Sequence, residues 1–351
     1  MVTIAKGPPR LIVGVDSHKN THQAAVLDAN GALLGNECFA VSSSGYLELE
    51  AWLSNLGEID RVGMECTGSY AAGLTRFLRE RGVEVLEVNS THRAVRARRG
   101  KDDPIDAEMA ARKVLSGEAH ATAKDTTGDI EAIRLLKVAR ESAIKSRTAA
   151  LLQIRDVLIT APAQLREHIE CAGGARHRVN RAASLRPDAD HLGQPLQAAK
   201  LSLRQLARRV KFFDAEIAEV DTHLRLLVAN CAPALLACVG IGTQHAAQLL
   251  ITAGQNIGRI PNEAAFARLC GVAPIPVSSG HTHRMRLHRG GDRRANMTLH
   301  LIVVARLRMD KRTQAYMERR RAEGLSKKDI IRCLKRFVAR EVYNALKLDL
   351  L

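Results

Sequence analysis

The first third of the chain alternates short apolar runs with amphipathic stretches. Leu11 to Asp16 (LIVGVD) is too short for a helix and too continuously apolar for a one-sided strand, so it reads as a buried strand. Gln23 to Asp28 (QAAVLD) has the same character and reads as its hairpin partner, and Ala32 to Ala40 as a third strand. A helix is predicted near Tyr46 to Leu56, a strand over Arg61 to Glu65 (RVGME), helical periodicity from Ser69 to Arg81, and a strand over Val83 to Val88. Three consecutive strands followed by alternating helix and strand predict an α/β domain, a mixed sheet with helices on its faces.

From about Ile130 to Cys231 the strand signals vanish. Leu203, Leu206, Val210, Phe213, Ile217, Val220, Leu224 and Leu227 recur at alternating steps of three and four, a heptad seam roughly three and a half heptads long. Such a seam suits a coiled coil between chains, and equally a long helix packed on its own domain. Gly173 to Pro195, richer in Gly, Arg, Asp and Pro, reads as a loop or insertion. Val239 to Leu250 (VGIGTQHAAQLL) has the pattern of a helix-hairpin-helix turn offering backbone N–H groups to phosphate, or of a plain packing corner. The remainder is mainly helical. These shifts divide the chain into an α/β domain over 1–118, a helical coiled-coil region over 119–232 and a basic, mainly α domain over 233–351.

Charge narrows the choice of partner. The 351 residues carry a formal net charge of +16. From Arg259 onward there are 21 Lys and Arg against 8 Asp and Glu, so most of the excess lies in the last quarter. A terminal region this basic points to a polyanion, since clustered cations gain from counterion release on nucleic acid. No segment joins a basic face to exposed Trp or Phe, which argues against a membrane surface. The seven cysteines are scattered and never spaced C-x-x-C, so neither a disulfide framework nor a zinc site is indicated. The N-terminus lacks an apolar signal core, and the expectation is a soluble protein of a reducing cytoplasm, nucleoid-associated when bound to DNA.

Four acids carry the candidate chemistry. Asp16 and Glu65 close predicted buried strands, where a charge is costly unless it meets a partner or a ligand. Asp103 and Asp106, in KDDPID, share one face of a helical turn. Asp-Pro-x-Asp is also a good helix start, with Asp103 as N-cap and Asp106 in the first turn. Together the four can form the oxygen cage that divalent metal needs for phosphoryl transfer. Arg93 to Lys101 (RAVRARRGK) precedes the paired aspartates, and its Arg96, Arg98, Arg99 and Lys101 are candidate phosphate contacts.

Near the other end, Ser278-Ser279-Gly280 is followed by Arg284, Arg286, Arg289, Arg293 and Arg294. A serine attacking a phosphodiester needs its developing charge neutralised, which clustered arginines can do. Spacing alone describes a turn in a basic loop equally well. His281 and His283 lack a third ligand and are not read as a metal site. His18 and His22, after the first strand, are assigned no role.

These motifs resemble a known family. Strand-end GVD with its hairpin, ECTGSY and K-x-D-x-I-D-A are similar to the N-terminal domain of the DEDD transposases of bacterial insertion sequences (the IS one-ten family). VGIG, FARLCGVAPIPVSSG, RGGDRRAN and GLSKKDIIRCLKRFVARE resemble its second domain. The resemblance implies a RuvC-like, RNase H-type fold for the first domain. Asp16, Glu65, Asp103 and Asp106 would be ligands for Mg2+ (or Mn2+), and Ser279, the serine directly before the glycine, a nucleophile that bonds transiently to DNA. It further implies donor and target DNA and a structured non-coding guide RNA as partners. The protein would be a homo-oligomer, a dimer or tetramer, in which the acid site of one subunit meets the serine domain of another. Where the family often has K-x-G-N after the serine, this chain has Arg289-Gly290-Gly291-Asp292. The rival classes are a RuvC-like nuclease or junction resolvase in which water attacks, a non-catalytic nucleic-acid-binding protein, and a DNA invertase of the same family.

Overall fold

The computed structural model describes residues 10–88, 102–171, 173–288 and 290–351. Two compact units are present. One joins the chain up to Glu131 with everything from Gln248 onward, and the other is Ala132–Ala247.

In the first unit the apolar runs become strands β1 (Arg10–Ser17), β2 (Thr21–Leu27), β3 (Leu33–Ala40), β4 (Glu58–Met64), β5 (Glu84–Glu87) and the short β6 (Ala121–Thr122). They form one sheet in the order β3-β2-β1-β4-β5-β6. The first three are antiparallel, β4 and β5 run parallel to β1, and β6 returns antiparallel. Helices α1 (Ser43–Leu56) and α2 (Ala72–Glu80) cover one face, and α3 (Asp103–Leu115) covers the other. Strand alternation sorts the side chains. Leu11, Val13 and Val15 enter the core shared with Leu49, Leu53, Leu74 and Leu78, whereas Ile12 meets Ala110, Ala111 and Val114 of α3. This mixed sheet with helices on both faces is what the alternating signals predict.

The C-terminal part of the same unit is mainly helical, with α10 (Glu263–Leu269), α11 (Arg293–Met309), α12 (Lys311–Ala322) and α13 (Lys327–Leu350). It is tied to the sheet's β6 end by backbone capping. Lys124 Nζ donates to Ile251 O (3.0 Å), the Asn256 amide to Ala123 O (3.0 Å), and Asp125 N to Asn256 Oδ1 (2.8 Å). Within it lies one hairpin, β7 (Pro274–Ser279) with β8 (Thr282–Leu287), where the sequence suggests only a turn in a basic loop. Val277 and Ile275 supply the β-branched positions, and Gly280, at φ 53°, opens the two-residue connection as in a type II′ turn.

The second unit is helical. It is built on α4 (Gly128–Thr160), which enters it from Ala132, α5 (Ala163–Glu170), α6 (Ala175–Ala183), α7 (Pro195–Cys231) and α8 (Pro233–Ala237). α4 and α7 run antiparallel, clipped by Arg140–Asp221 (2.6 Å) and by Arg147–Asp214 one heptad along. Leu203 and Val210 of the predicted seam are buried against Ala150, Ile154 and Leu158 of α4, so this stretch of the seam packs on its own chain. The Gly173 to Pro195 stretch is not wholly a loop, because it contains α6. Ala and Arg are good helix formers, and Val179 with Ala182 supplies a buried face that the composition conceals. Past α8, Gly240 (φ 77°) turns the chain into α9 (Thr243–Ala253), which crosses from this unit into the first. Among the described residues no helix is long and apolar enough to cross a membrane.

Candidate active site

The site begins with two glycines. Gly14 of β1 and Gly63 of β4 are direct neighbours in the parallel register, and both face α3. A Cβ on Gly14 would lie 2.1 Å from Ala107 O and 2.2 Å from Ala111 N; one on Gly63 would meet the Val114 side chain at 2.3 Å. The smooth bed formed by these glycines, with Ala107, Ala110 and Ala111 opposite, lets α3 lie directly on the strands. Asp103 stands one turn before Ala107 and therefore comes down beside the end of β1.

By strand alternation Asp16 and His18 share the α3 face with Gly14. A carboxylate oxygen of Asp16, the His18 Nδ1 and a carboxylate oxygen of Asp103 all lie within 4.8 Å of one another. His18 Nδ1 is 3.9 Å from Asp16 Oδ2 and 3.7 Å from Asp103 Oδ2. The Asp16 side chain is 18% exposed and that of Asp103 50%, so the group opens to solvent on the helix side. The residue at the α3 N-cap is Asp102, not Asp103, and it makes no side-chain capping bond. With Asp103 at the first helical position beside Pro104, its carboxylate points at the strand end rather than at backbone N–H groups. Asp106 follows on the same helix face, half-buried, its backbone N–H bonded to Asp102 O at 3.0 Å. Asn36 donates to Pro104 O (2.9 Å) and itself accepts from Gln23, holding the start of α3 against β2 and β3.

Glu65 follows β4, and the register Val15↔Met64 sets it alongside Asp16, on a strand about 4.8 Å away. Ser17 Oγ donates to Glu65 O (3.1 Å), locking the two strand ends together. Immediately after Glu65 the backbone breaks out of the sheet at Cys66, whose φ of 57° is the one positive value at a non-glycine residue among those described. Left-handed backbone at such a residue is strained, and strain of this kind gathers at functional sites. The next residue, Thr67, is buried and hydrogen-bonded to Glu87 at the end of β5. Glu87, a fifth acid at this edge, and His18 were both passed over by the sequence reasoning. His18 could have been found from its two-residue spacing to Asp16.

The serine is arranged quite differently. Ser278 and Ser279 are exposed at the tip of the β7–β8 hairpin, Ser279 pairing with Thr282 across the turn. Adjacent strand residues point to opposite faces, so the two hydroxyls do not address the same side. Ser279 shares its face with half-buried Ile275 and Val277. Among the described residues no hydrogen bond or ion pair joins Ser279 to the four acids.

After the hairpin, Gly291 (φ 92°) packs against backbone, its Cβ position 2.7 Å from Leu269 O. Asp292 then caps α11, accepting from Arg294 N (2.8 Å), Ala295 N (3.2 Å) and Thr252 Oγ1 (2.6 Å). The Gly-Gly-Asp variation thus builds a tight helix entry. A cavity of about 740 Å3 opens at the hairpin base, lined by Pro274, Met285, Arg286, Arg332, Lys335 and Arg336 among others. Burial holds the Lys335 ammonium below its usual pKa range. Arg286, Arg293 and Arg294 are exposed. Arg96, Arg98, Arg99, Lys101 and Arg289 lie outside the described residues, as does the side chain of Arg284.

Comparison with known proteins matches both ends of the chain. Residues 13–161 fit the family described as the DEDD transposase of IS110, and residues 232–318 the transposase IS116/IS110/IS902 family, together well over half the chain. The 42 kDa protein of insertion element IS900 from Mycobacterium paratuberculosis is 25% identical, with 89% of each chain covered. The IS117 mini-circle protein of Streptomyces coelicolor is 26% identical over 89% of this chain and 87% of its own. The 43.6 kDa protein of insertion element IS110, also from Streptomyces coelicolor, is 32% identical over 30% of this chain and 26% of its own.

Proposed function

The chain belongs to the IS110 family of insertion-element transposases and is a DNA transposase, and from that premise we propose that it cuts and rejoins DNA through a phosphoserine intermediate. Asp16, Glu65, Asp103 and Asp106 hold divalent metal, and Ser279 is the nucleophile. The observation that carries the reading is the approach of Asp103 to Asp16 and His18 across the glycine bed, within 4.8 Å. A structural cap would not require it. Strand order and direction support a RuvC-like, RNase H-type reading of this sheet.

The donor set fits a divalent cation, since carboxylate oxygens of one strand end (Asp16) and one helix (Asp103) come within 4.8 Å of each other on rigid elements, with Glu65 on the adjoining strand end and Asp106 one turn along the helix. Bound there, Mg2+ or Mn2+ supplies charge neutralisation on the phosphate oxygens and lowers the barrier to displacement. Ser279 Oγ gives up its proton and attacks phosphorus, and the bridging DNA oxygen leaves as a hydroxyl. One P–O bond is exchanged for another, so a DNA hydroxyl can later displace the serine without an outside energy source. Exposed Arg286, Arg293 and Arg294, with Arg284 and Arg289, grip the backbone on either side of the serine and offset the charge that develops. Arg96, Arg98, Arg99 and Lys101 serve the phosphates beside the acids.

Donor and target DNA, selected by an element-encoded structured RNA, complete the reading, with the acid site of one subunit working with the serine of another. The half-exposed Phe213, Ile217 and Val220 on α7, beside Phe212 at 65% exposure, support a homo-oligomer joined through the middle of the seam. The working division is an acid domain over 1–118, a helical region over 119–232 and a serine domain over 233–351.

The test is a trap for a covalent protein–DNA adduct, using element-end DNA, flanking non-coding RNA and Mg2+. An adduct lost in Ser279→Ala and Asp16→Ala but kept in Ser278→Ala is the expected result. Cleavage with no adduct, indifferent to both serines, would make the protein a hydrolytic nuclease.

A further inference from the structure

Resting on the reading of Asp16 and Asp103 as metal ligands, we propose that His18 is a further ligand of the same ion through Nδ1. The site is then a mixed nitrogen–oxygen one that favours a first-row transition ion such as Mn2+ over Mg2+.

The distances argue for a shared ion rather than a direct bond. At 3.9 Å from Asp16 Oδ2 and 3.7 Å from Asp103 Oδ2, the Nδ1 atom is beyond the range of about 2.7–3.2 Å in which an N–H donates to a carboxylate. The three donor atoms instead lie within 4.8 Å of one another, at spacings a single ion can bridge. Ligand bonds of about 2.0–2.2 Å, set at right to tetrahedral angles, place neighbouring donors roughly 3.0–3.5 Å apart. Closure on an ion therefore asks the imidazole nitrogen to approach each carboxylate by less than about 1 Å, within the reach of a side-chain rotation. The imidazole stands on the face that needs it, two residues beyond Asp16. Its backbone N–H is bonded to Thr21 O at 3.0 Å, which fixes where the ring starts. Its side chain is 45% exposed, so the ring can turn without opening the core.

Ligand chemistry then sets the preference among ions. A site of carboxylates alone suits Mg2+, a hard ion that keeps its waters. One imidazole shifts preference along the transition series, where nitrogen donors gain most. His18 has the Nε2 side left for a proton, leaving Nδ1 the lone pair that coordination uses.

The experiment is pulsed electron paramagnetic resonance on the full chain with Mn2+, reading nitrogen hyperfine coupling at the metal. Metal affinities of wild type, His18→Gln and Asp16→Asn are measured alongside by titration with Mn2+ and with Mg2+. Wild type is expected to show coupling to one imidazole nitrogen. In His18→Gln that coupling disappears, Mn2+ affinity falls by about tenfold or more, and the preference for Mn2+ over Mg2+ narrows. Mn2+ bound in an Asp16-dependent way with no nitrogen coupling in wild type would overturn the role of His18 while leaving the acid site standing. Coupling that survives in His18→Gln overturns it equally. No Asp16-dependent Mn2+ binding at all would overturn both this inference and the metal reading beneath it. The wild-type spectrum decides the matter even if the glutamine variant folds poorly.

Discussion

His22 is 1% exposed, stacks on Tyr46 with centroids 6.0 Å apart, and has no hydrogen-bond partner for either ring nitrogen among the described residues. Burial lowers its pKa, so the folded chain keeps the ring neutral. The unfolded chain takes up that proton near pH 6.5, and stability must therefore fall as pH drops from about 6.5 toward the lower folded value. Replacing the ring with an apolar one of similar shape removes both the unpaired nitrogens and the pH slope. His22→Phe is expected to gain about 1–2 kcal/mol and to flatten the melting temperature between about pH 5 and 7; an unchanged slope in thermal melts would place its origin elsewhere. At Cys66 the strain is in the backbone, and the side chain is exposed. Cys66→Gly should raise stability by about 1 kcal/mol, read as an upward shift in melting temperature. Of these residue-level features, Asp16 and Glu65 were legible in the sequence because an acid ending a buried apolar run is anomalous by itself. His18 was legible only through its two-residue spacing to Asp16, and Glu87 and the left-handed Cys66 were not, since each acquires meaning only from a neighbouring strand or from a backbone angle that no residue type announces.

Helix α3 reaches the sheet only because Gly14 and Gly63 lie side by side beneath it. Gly14→Ala would place its new carbon against the α3 backbone, which cannot yield as a side-chain end can. An overpacking cost of about 1–3 kcal/mol is expected, and the displaced helix should carry Asp103 away from Asp16. Melting temperature and Mn2+ affinity should fall together. Gly68→Ala, with nothing within 4 Å of the added carbon, serves as the silent control. A Gly14→Ala protein that melts lower yet binds Mn2+ as before would separate packing from site assembly. The strands and α3 itself were legible from apolar runs and the Asp-Pro start, but the closeness of helix to sheet was not. Gly14 reads from sequence merely as a gap in LIVGVD. In the same way α6 hid in an Arg-rich stretch, and the β7–β8 hairpin showed only its turn, because short strands with half-buried faces carry little periodicity.

At the scale of the molecule, the sequence order suggests successive domains, whereas the first compact unit draws on both ends of the chain. No local pattern encodes that return; it rests on single side chains such as Asn256 capping the loop beside β6. What does carry through from composition is charge. With +16 overall and most of the excess after Arg259, affinity for DNA should fall steeply and linearly in log–log form as salt rises. Exposed Arg286, on strand β8 of the serine hairpin, and Arg293, at the start of α11, stand where a phosphate contact would position the strand without reading its bases. Removing either as Arg286→Ala or Arg293→Ala should weaken binding by a similar factor on every DNA sequence and lower the salt slope by about 1. Fluorescence anisotropy across a salt series measures both. A slope that does not change would mean that these arginines face solvent in the complex. Discrimination lost at one base pair with the slope intact would mean that the protein itself reads sequence there.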